Sequence, residues 1–423
     1  MDITVNKTKS LKGIIEIPAD KSITHRAFMF SALTKGKVKI TNFSKGADCM
    51  STLNIIKQLG CEFEFINEKE IIIDAKDALK APIEALNCGN SGTTTRLMMG
   101  ILAGQNFNSK LYGDISLSKR PMKRVICPLE LMGAKIKHND YKLPVEIEGT
   151  NLQGINYNSP LASAQVKSCI LLAGLNAEGV TKFTEPYKSR NHTELMFEYM
   201  GANIEINKND ICVKKSKLHP VDIEVCGDIS SAAFFMVAGL IVPNSEITIK
   251  NVGINETRSG IIDVLRAMNG NIELENERII SNEKVANIKI KYSKLKAITI
   301  EGEIIPRLID ELPIIAVAAT QAEGITIIKN AQDLRNKEAD RITAVTTELR
   351  KLGANIEETN DGFIINGKTN LKGDCEVECY HDHRIAMSAY VAGLICEKPI
   401  KINEFQWVNI SFPEFLGLMN NLI

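Results

Sequence analysis

Six apolar stretches with one grammar punctuate this 423-residue chain: a polar, often charged start, a helix-like apolar run ending in small residues, then a strand. They open DKSITHRAFMF at Asp20, GNSGTTTRLMM at Gly89, SAQVKSCILLAG at Ser163, GDISSAAFFMVAG at Gly227, DELPIIAVAA at Asp310 and HDHRIAMSAYVAG at His381. The interval is roughly 65 to 80 residues, too long for the common short solenoid repeats. Between them recurs a second helical pattern that closes on Gly and leads into another strand: STLNIIKQLGCEFEF, CPLELMGAKIK, LMFEYMGANIEI, VLRAMNGNIEL and TELRKLGANIEE. The glycine falls where a helix C-terminus favours a left-handed residue. A last instance, FPEFLGLMNNLI, runs out of chain before any strand, and GIIEIP near the N-terminus is expected to supply the missing one beside the C-terminus.

The pattern predicts an α/β chain of six repeat units in two groups of three, with the chain crossing between groups near residue 18 and near residue 227. Residues 1–18 with 228–423 are expected to form one domain containing both termini. Residues 19–227 are expected to form an inserted domain, with the active site in the cleft between the two. The length suits two or more domains.

Composition narrows the function classes. Apolar residues make up 44% and charged residues 24%, as in a globular protein. Lys plus Arg and Asp plus Glu both number 51, so net charge argues for neither nucleic acid nor membrane as partner. The longest apolar run, Ala232 to Val242, is too short to span a bilayer. The ten cysteines form no CxxC pair and read as free thiols of a reducing cytoplasm, and the start MDITVNKTKS lacks the apolar core of a signal peptide. A cytoplasmic location is expected.

Charge is informative where it is local. The unusual residues gather at the predicted helix starts: Lys21, Ser22 and Arg26 in the first, Asn90, Ser91, Thr93 and Arg96 in the second, Ser163 and Gln165 in the third, His383 and Arg384 in the sixth. Helix N-termini offer free N–H groups and a positive dipole end. The chain has 13 arginines among 51 basic residues, yet Arg26, Arg96 and Arg384 fall at these helix starts, and Arg120, Arg190 and Arg341 in the further motifs SLSKRPM, RNHTE and KEADR. Arginine gives a fixed fork for carboxylate and phosphate that lysine does not reproduce. CGNSGTTTR has the look of a phosphate loop but lacks the lysine that a P-loop requires, so its cation must come from elsewhere.

Candidate acid–base groups lie nearby. In RNKEADRI, Lys337, Glu338 and Arg341 are expected within about one helical turn, Lys337 and Arg341 on one face. Glu338 there is either a proton shuttle or one half of a solvated ion pair. Asp310 and Glu311 precede an apolar helix, as an N-cap or as a general base. The two histidines of HDHR have no third ligand of matching type nearby, so metal ligation is not expected. No GxSxG elbow and no GxGxxG fingerprint occurs. These residues suit a cofactor-free reaction between small anions.

In family order, DKSITHRA, GNSGTTTR, SLSKRPM, SAQVKS, RNHTE, IDELP, KEADR and DHRIAMS resemble the 5-enolpyruvylshikimate-3-phosphate synthase (3-phosphoshikimate 1-carboxyvinyltransferase) family over nearly the whole chain. The resemblance implies an inverse α/β barrel of two domains, each with three βαβαββ units. It implies transfer of the enolpyruvyl group of phosphoenolpyruvate to the 5-hydroxyl of shikimate 3-phosphate, with release of phosphate, no cofactor, no metal and a monomeric enzyme. Carried over by position, Lys21, Ser22, Arg26, Ser163, Ala164, Gln165, Arg190, Asp310 and Lys337 would bind shikimate 3-phosphate. Lys21, Gly92, Arg120, Gln165, Arg341 and Arg384 would surround phosphoenolpyruvate. Asp310, Glu338 and Lys21 would be catalytic, with Asp310 the base on the 5-hydroxyl. Gly92 would allow close approach at the phosphoenolpyruvate site and make room for the inhibitor glyphosate.

Two departures stand out: NISFPEF lacks a lysine that some members carry before the FP pair, and GNSGTTTRL lacks a proline that some carry after the arginine. The alternatives are UDP-N-acetylglucosamine enolpyruvyl transferase and a non-catalytic anion-binding homologue. Against the first, the opening motif is Lys-Ser, and Cys127 sits between Ile and Pro, where it reads as core. Against the second, Asp310, Glu338 and Lys21 are all present.

Overall fold

A computed structural model describes residues 1–423. The six expected helices form at Lys21–Ser31, Gly92–Ala103, Ala164–Gly174, Ile229–Ile241, Leu312–Thr320 and His383–Gly393. Five are capped by the polar residue just before them. Asp20 accepts from the Ile23 N–H (2.8 Å), Ser91 from Thr94 (3.1 Å), Ser163 from Val166 (3.5 Å), Asp228 from Ser230 (2.8 Å) and Asp382 from Arg384 (2.8 Å). Such caps satisfy donors that the first turn leaves open. The Leu312 helix is the exception, for Glu311 stands at its cap position and makes no side-chain cap bond.

The second set of helices spans Ala47–Gln58, Lys123–Leu131, His192–Tyr199, Gly260–Ala267 and Arg341–Lys351. Gly60, Gly133, Gly201 and Gly353 end four of them at φ between 77° and 98°. In the fifth, Asn269 takes the left-handed position (φ 69°) and Gly270 does not. Asparagine tolerates that region better than other side chains do, so the residue before the glycine could serve.

The strands form one three-stranded and five four-stranded sheets. All five larger sheets share one order. A short edge strand runs parallel to the strand that follows one of these six helices, and that strand runs antiparallel to the second arm of a hairpin. Thus Leu86–Asn87 pairs with Ser109–Tyr112, which pairs with Lys142–Glu148 and then Lys135–Asn139. The protein is therefore a mixed α/β chain of several small mixed sheets. No helix is long and apolar enough to cross a membrane.

The pairing of the N-terminal strand differs from expectation. Lys12–Glu16, which overlaps the GIIEIP segment, runs parallel to Glu246–Gly253, and the strand beside the C-terminal unit is Ile3–Val5, antiparallel to Ile400–Ile402. Conversely Ile223–Glu224, which leads toward the Ile229 helix, pairs with Gly36–Thr41. The strand before the first helix and the strand before the fourth have thus exchanged sheets. A two- to five-residue edge strand carries no pattern that names its partner, so sequence alone could not choose between them.

Two compact units result: residues 1–18, 226–279 and 284–423 in one, residues 19–225 with 280–283 in the other. The four residues 280–283 are the turn of the hairpin Asn271–Ile280 and Glu283–Lys291. Each unit buries a dense apolar interior; in the first, Phe234, Phe235, Phe405, Phe412 and Phe415 are almost wholly enclosed. The ten cysteines are unbridged, and Cys127, expected in the core, is only half-buried.

Candidate active site

In the unit of residues 19–225, helix starts are tied together by short polar side chains. His25 Nδ1 lies 2.7 Å from the Thr52 hydroxyl, which lies 2.7 Å from that of Thr94, which in turn donates to Ser91 (2.7 Å). This run of hydroxyls links the Lys21, Ala47 and Gly92 helices. His25 is fully enclosed, and burial pushes its imidazole down to about 3. The Gly92 and Ala164 helices touch at Gly100, where a Cβ would lie 2.2 Å from the Cys169 carbonyl oxygen. Only glycine permits that approach.

The approach brings polar residues of the two helix starts together. Arg96 donates to Gln165 Oε1 (2.7 Å), and Gln165 Nε2 donates to the Thr93 hydroxyl (3.0 Å). Arg120, just past the short helix Ile115–Lys119, donates to Asn90 Oδ1 (2.8 Å). Lys21 pairs with Asp48 (3.0 Å). Arg26 is buried; it donates to the hydroxyls of Thr193 (2.7 Å) and Ser168 (2.8 Å) and to the Ser22 carbonyl (2.9 Å). Burial lowers its guanidinium to about 10. Ser163 is a helix cap, Ala164 the first residue of its helix, and Arg190 lies half-buried just before the His192 helix.

The other unit assembles a denser ionic network. Arg341 is 1% exposed and meets three carboxylates. Its Nε and Nη2 donate to the two oxygens of Asp382 (2.7 and 3.3 Å), Nη2 also to Glu338 (2.7 Å), and Nη1 to Asp310 (3.4 Å). Burial opposes its charge, yet Asp382, Glu338 and Asp310 together raise its pKa. Lys337 donates to the same Asp310 oxygen (3.1 Å), and Arg384 donates to the Asp310 backbone carbonyl (2.9 Å). Asp310 thus stands between two cations with 15% of its side chain exposed. It is not an N-cap.

Expected geometry and observed geometry differ at RNKEADRI. Lys337 and Glu338 do not share a helix with Arg341. Asp340 caps the helix at Arg341 through the N–H groups of Ile342 (3.1 Å) and Thr343 (3.2 Å), leaving Lys337 extended. The three side chains still converge, through Asp310 and Arg341 and not through helical spacing.

Several residues were not singled out from sequence. Asp48, Asp382 and Arg258 are the carboxylate partners of Lys21 and Arg341 and a buried cation behind Arg384. Arg258 meets Glu311 (3.2 and 3.3 Å) and Asp228 (3.5 Å), while Ser230 donates to Glu311. Glu311 is fully buried and lies 3.6 Å from Arg384. A usable signal existed for Arg258, an arginine in an arginine-poor chain, and for Asp382, a capping residue directly before two basic ones.

A family model described as EPSP synthase (3-phosphoshikimate 1-carboxyvinyltransferase) matches residues 5–419. A 3-phosphoshikimate 1-carboxyvinyltransferase of Thermoanaerobacter sp. (strain X514) is 53% identical over 418 residues, 98% of each chain. The chain belongs to the EPSP synthase family. Another member, from Bacillus subtilis (strain 168), is 49% identical over 422 residues, covering 99% of this chain and 98% of its own. The solved EPSP synthase of Acinetobacter baumannii superposes with a TM-score of 0.91 at 43% identity, covering 100% of this chain and 98% of that one. The enolpyruvyl transferase NikO of Streptomyces tendae, at 16% identity and a TM-score of 0.81, shares the fold.

Proposed function

We propose that this EPSP synthase family enzyme transfers the enolpyruvyl group of phosphoenolpyruvate to the 5-hydroxyl of shikimate 3-phosphate and releases phosphate, as a cytoplasmic monomer that needs no cofactor. The observation that carries the reading is Asp310, a partly open carboxylate fixed between Lys337 and Arg341. The attacking hydroxyl must lose a proton, the methylene carbon of phosphoenolpyruvate must gain one, and phosphate must leave a tetrahedral intermediate. A carboxylate held by two cations has one orientation to offer the hydroxyl proton, which suits a general base. Glu338, held by Arg341 and about one-third exposed, suits the second proton transfer. Lys21 is the third catalytic group.

The substrates themselves explain the arginines. Two unit charges about 4 Å apart repel by about 4 kcal/mol at an effective dielectric of 20, so two polyanions need cations around both. Shikimate 3-phosphate is assigned to Lys21, Ser22, Arg26, Ser163, Ala164, Gln165, Arg190, Asp310 and Lys337. Phosphoenolpyruvate is assigned to Lys21, Gly92, Arg120, Gln165, Arg341 and Arg384. The domains are taken as residues 1–18 with 228–423 and residues 19–227. The deciding experiment measures phosphate release from phosphoenolpyruvate with shikimate 3-phosphate and, separately, with UDP-N-acetylglucosamine. Release with the first acceptor alone is expected. Release only with the second would replace the proposed acceptor, and release with neither would leave an anion-binding protein.

A further inference from the structure

Lys167 is the most thoroughly enclosed cation of the 19–225 unit, with none of its side chain exposed. It lies one turn into the Ala164 helix, and its ammonium group meets three acceptors: Glu185 Oε1 (2.9 Å), Glu194 Oε1 (2.7 Å) and the Ser189 carbonyl (3.2 Å). An ammonium group has three donors, so all are used. Both carboxylates are buried as well.

All three acceptors belong to one short stretch, residues 185–194. Glu185 directly follows the strand Val180–Thr184, and it also accepts from the Ser189 N–H (3.0 Å) and hydroxyl (2.5 Å). Glu194 lies in the first turn of the His192 helix. The ammonium group therefore gathers the beginning, middle and end of the loop that carries Arg190, and one of its bonds ends on the residue directly before that arginine. The helix start is pinned from other sides too. His192 lies 2.7 Å from Glu283, and Thr193 accepts from Arg26.

Holding this loop together does not by itself require charge. Well-packed apolar residues are often as stable as a buried ion cluster of this kind. What a fully satisfied cluster adds is a fixed geometry. We infer that Lys167 is a positioning residue for recognition of the phosphorylated acceptor, holding residues 185–194 so that Arg190 is presented in one place. The inference rests on the assignment of Arg190 to shikimate 3-phosphate made above.

The test compares kcat and the KM of each substrate in the wild type, Lys167→Met, Arg190→Ala and the double variant. Lys167→Met is expected to raise the KM for shikimate 3-phosphate about 10- to 100-fold, the scale on which a displaced binding group acts. The KM for phosphoenolpyruvate should stay within about twofold, because a general loss of structure would move both. In the Arg190→Ala background the same change should add no more than about threefold, since both act through one contact. Full additivity there, or an unchanged KM in Lys167→Met beside an impaired Arg190→Ala, overturns the inference. An unchanged KM in Arg190→Ala overturns the assignment beneath it and is recognisable as that separate failure. Should Lys167→Met not fold, Glu194→Gln keeps an acceptor for the ammonium group. A smaller rise in the same KM supports the inference, and no rise overturns it.

Discussion

Arg26 and Arg341 are both buried, yet they are held in opposite ways. The hydrogen bonds of Arg26 end on two hydroxyls and a carbonyl, whereas those of Arg341 end on Asp382, Glu338 and Asp310. Neutral oxygens satisfy N–H donors without cancelling charge, and burial therefore pulls Arg26 down, with Glu194 and Asp20 opposing it only in part. Around Arg341 the carboxylates outweigh burial. One cation still has charge for an incoming anion to neutralise. The other is the fixed post on which two candidate proton-transfer groups are hung.

Removing what Arg341 holds should have the largest effect. Asp310→Ala is expected to lose about 10²- to 10⁴-fold in kcat, the range of general acid–base catalysis, while calorimetry still detects both substrates. Near-normal turnover would remove Asp310 from the catalytic set. Next come the two arginines themselves. Arg341→Met removes the cation that three carboxylates share, fully buried Asp382 among them, and should cost about 3–5 kcal/mol in denaturant unfolding. Arg26→Met strands only neutral groups and should cost about 1–3 kcal/mol. Equal losses would break the contrast.

His25, next to Arg26, sharpens it through pH. Its folded pKa, about 3, lies below the ordinary 6.5, so between those values the unfolded chain binds the extra proton. Its contribution is complete above about pH 6.5 and is lost as pH falls toward 3, at up to about 1.4 kcal/mol per pH unit. His25→Asn, which keeps a polar group facing Thr52, should flatten the acid limb of the stability curve. An unaltered slope between pH 6.5 and 4.5 would count against a neutral buried imidazole. The smallest effect is expected at Gly92. An added Cβ would lie 2.7 Å from Arg96 Nη1, the movable end of a side chain, so Gly92→Ala should fold normally. It should weaken glyphosate inhibition and, less, phosphoenolpyruvate binding, as inhibition curves would show.

What was legible beforehand follows the range of the interactions. Capped helix starts and glycine-closed helices are decided within a few residues, and Asp20, Ser91, Ser163 and Gly60 stand where local chemistry puts them. Asp340 was equally local, and reading it as a cap would have kept Lys337 and Glu338 out of the helix. The partners of the cations were hidden for a different reason. Asp48 for Lys21, Asp382 for Arg341 and Glu311 for Arg258 lie 27 to 53 positions away in the chain, and only the packing of separate helices selects them. The edge strands were hidden because two to five residues can add to any open sheet edge.

The exchanged edge strands also set a timetable for synthesis. Lys12–Glu16 leaves the ribosome early, but its partner Glu246–Gly253 follows about 230 residues later, roughly ten to fifty seconds at ordinary elongation rates. Gly36–Thr41 likewise waits for Ile223–Glu224. A nascent chain halted before residue 223 should therefore lack the edge of its first sheet. The sheet of Gly36–Thr41 can close only at the last step of the 19–225 unit, and the opening segment of the polypeptide must stay unpaired, and free of wrong partners, until that step is past.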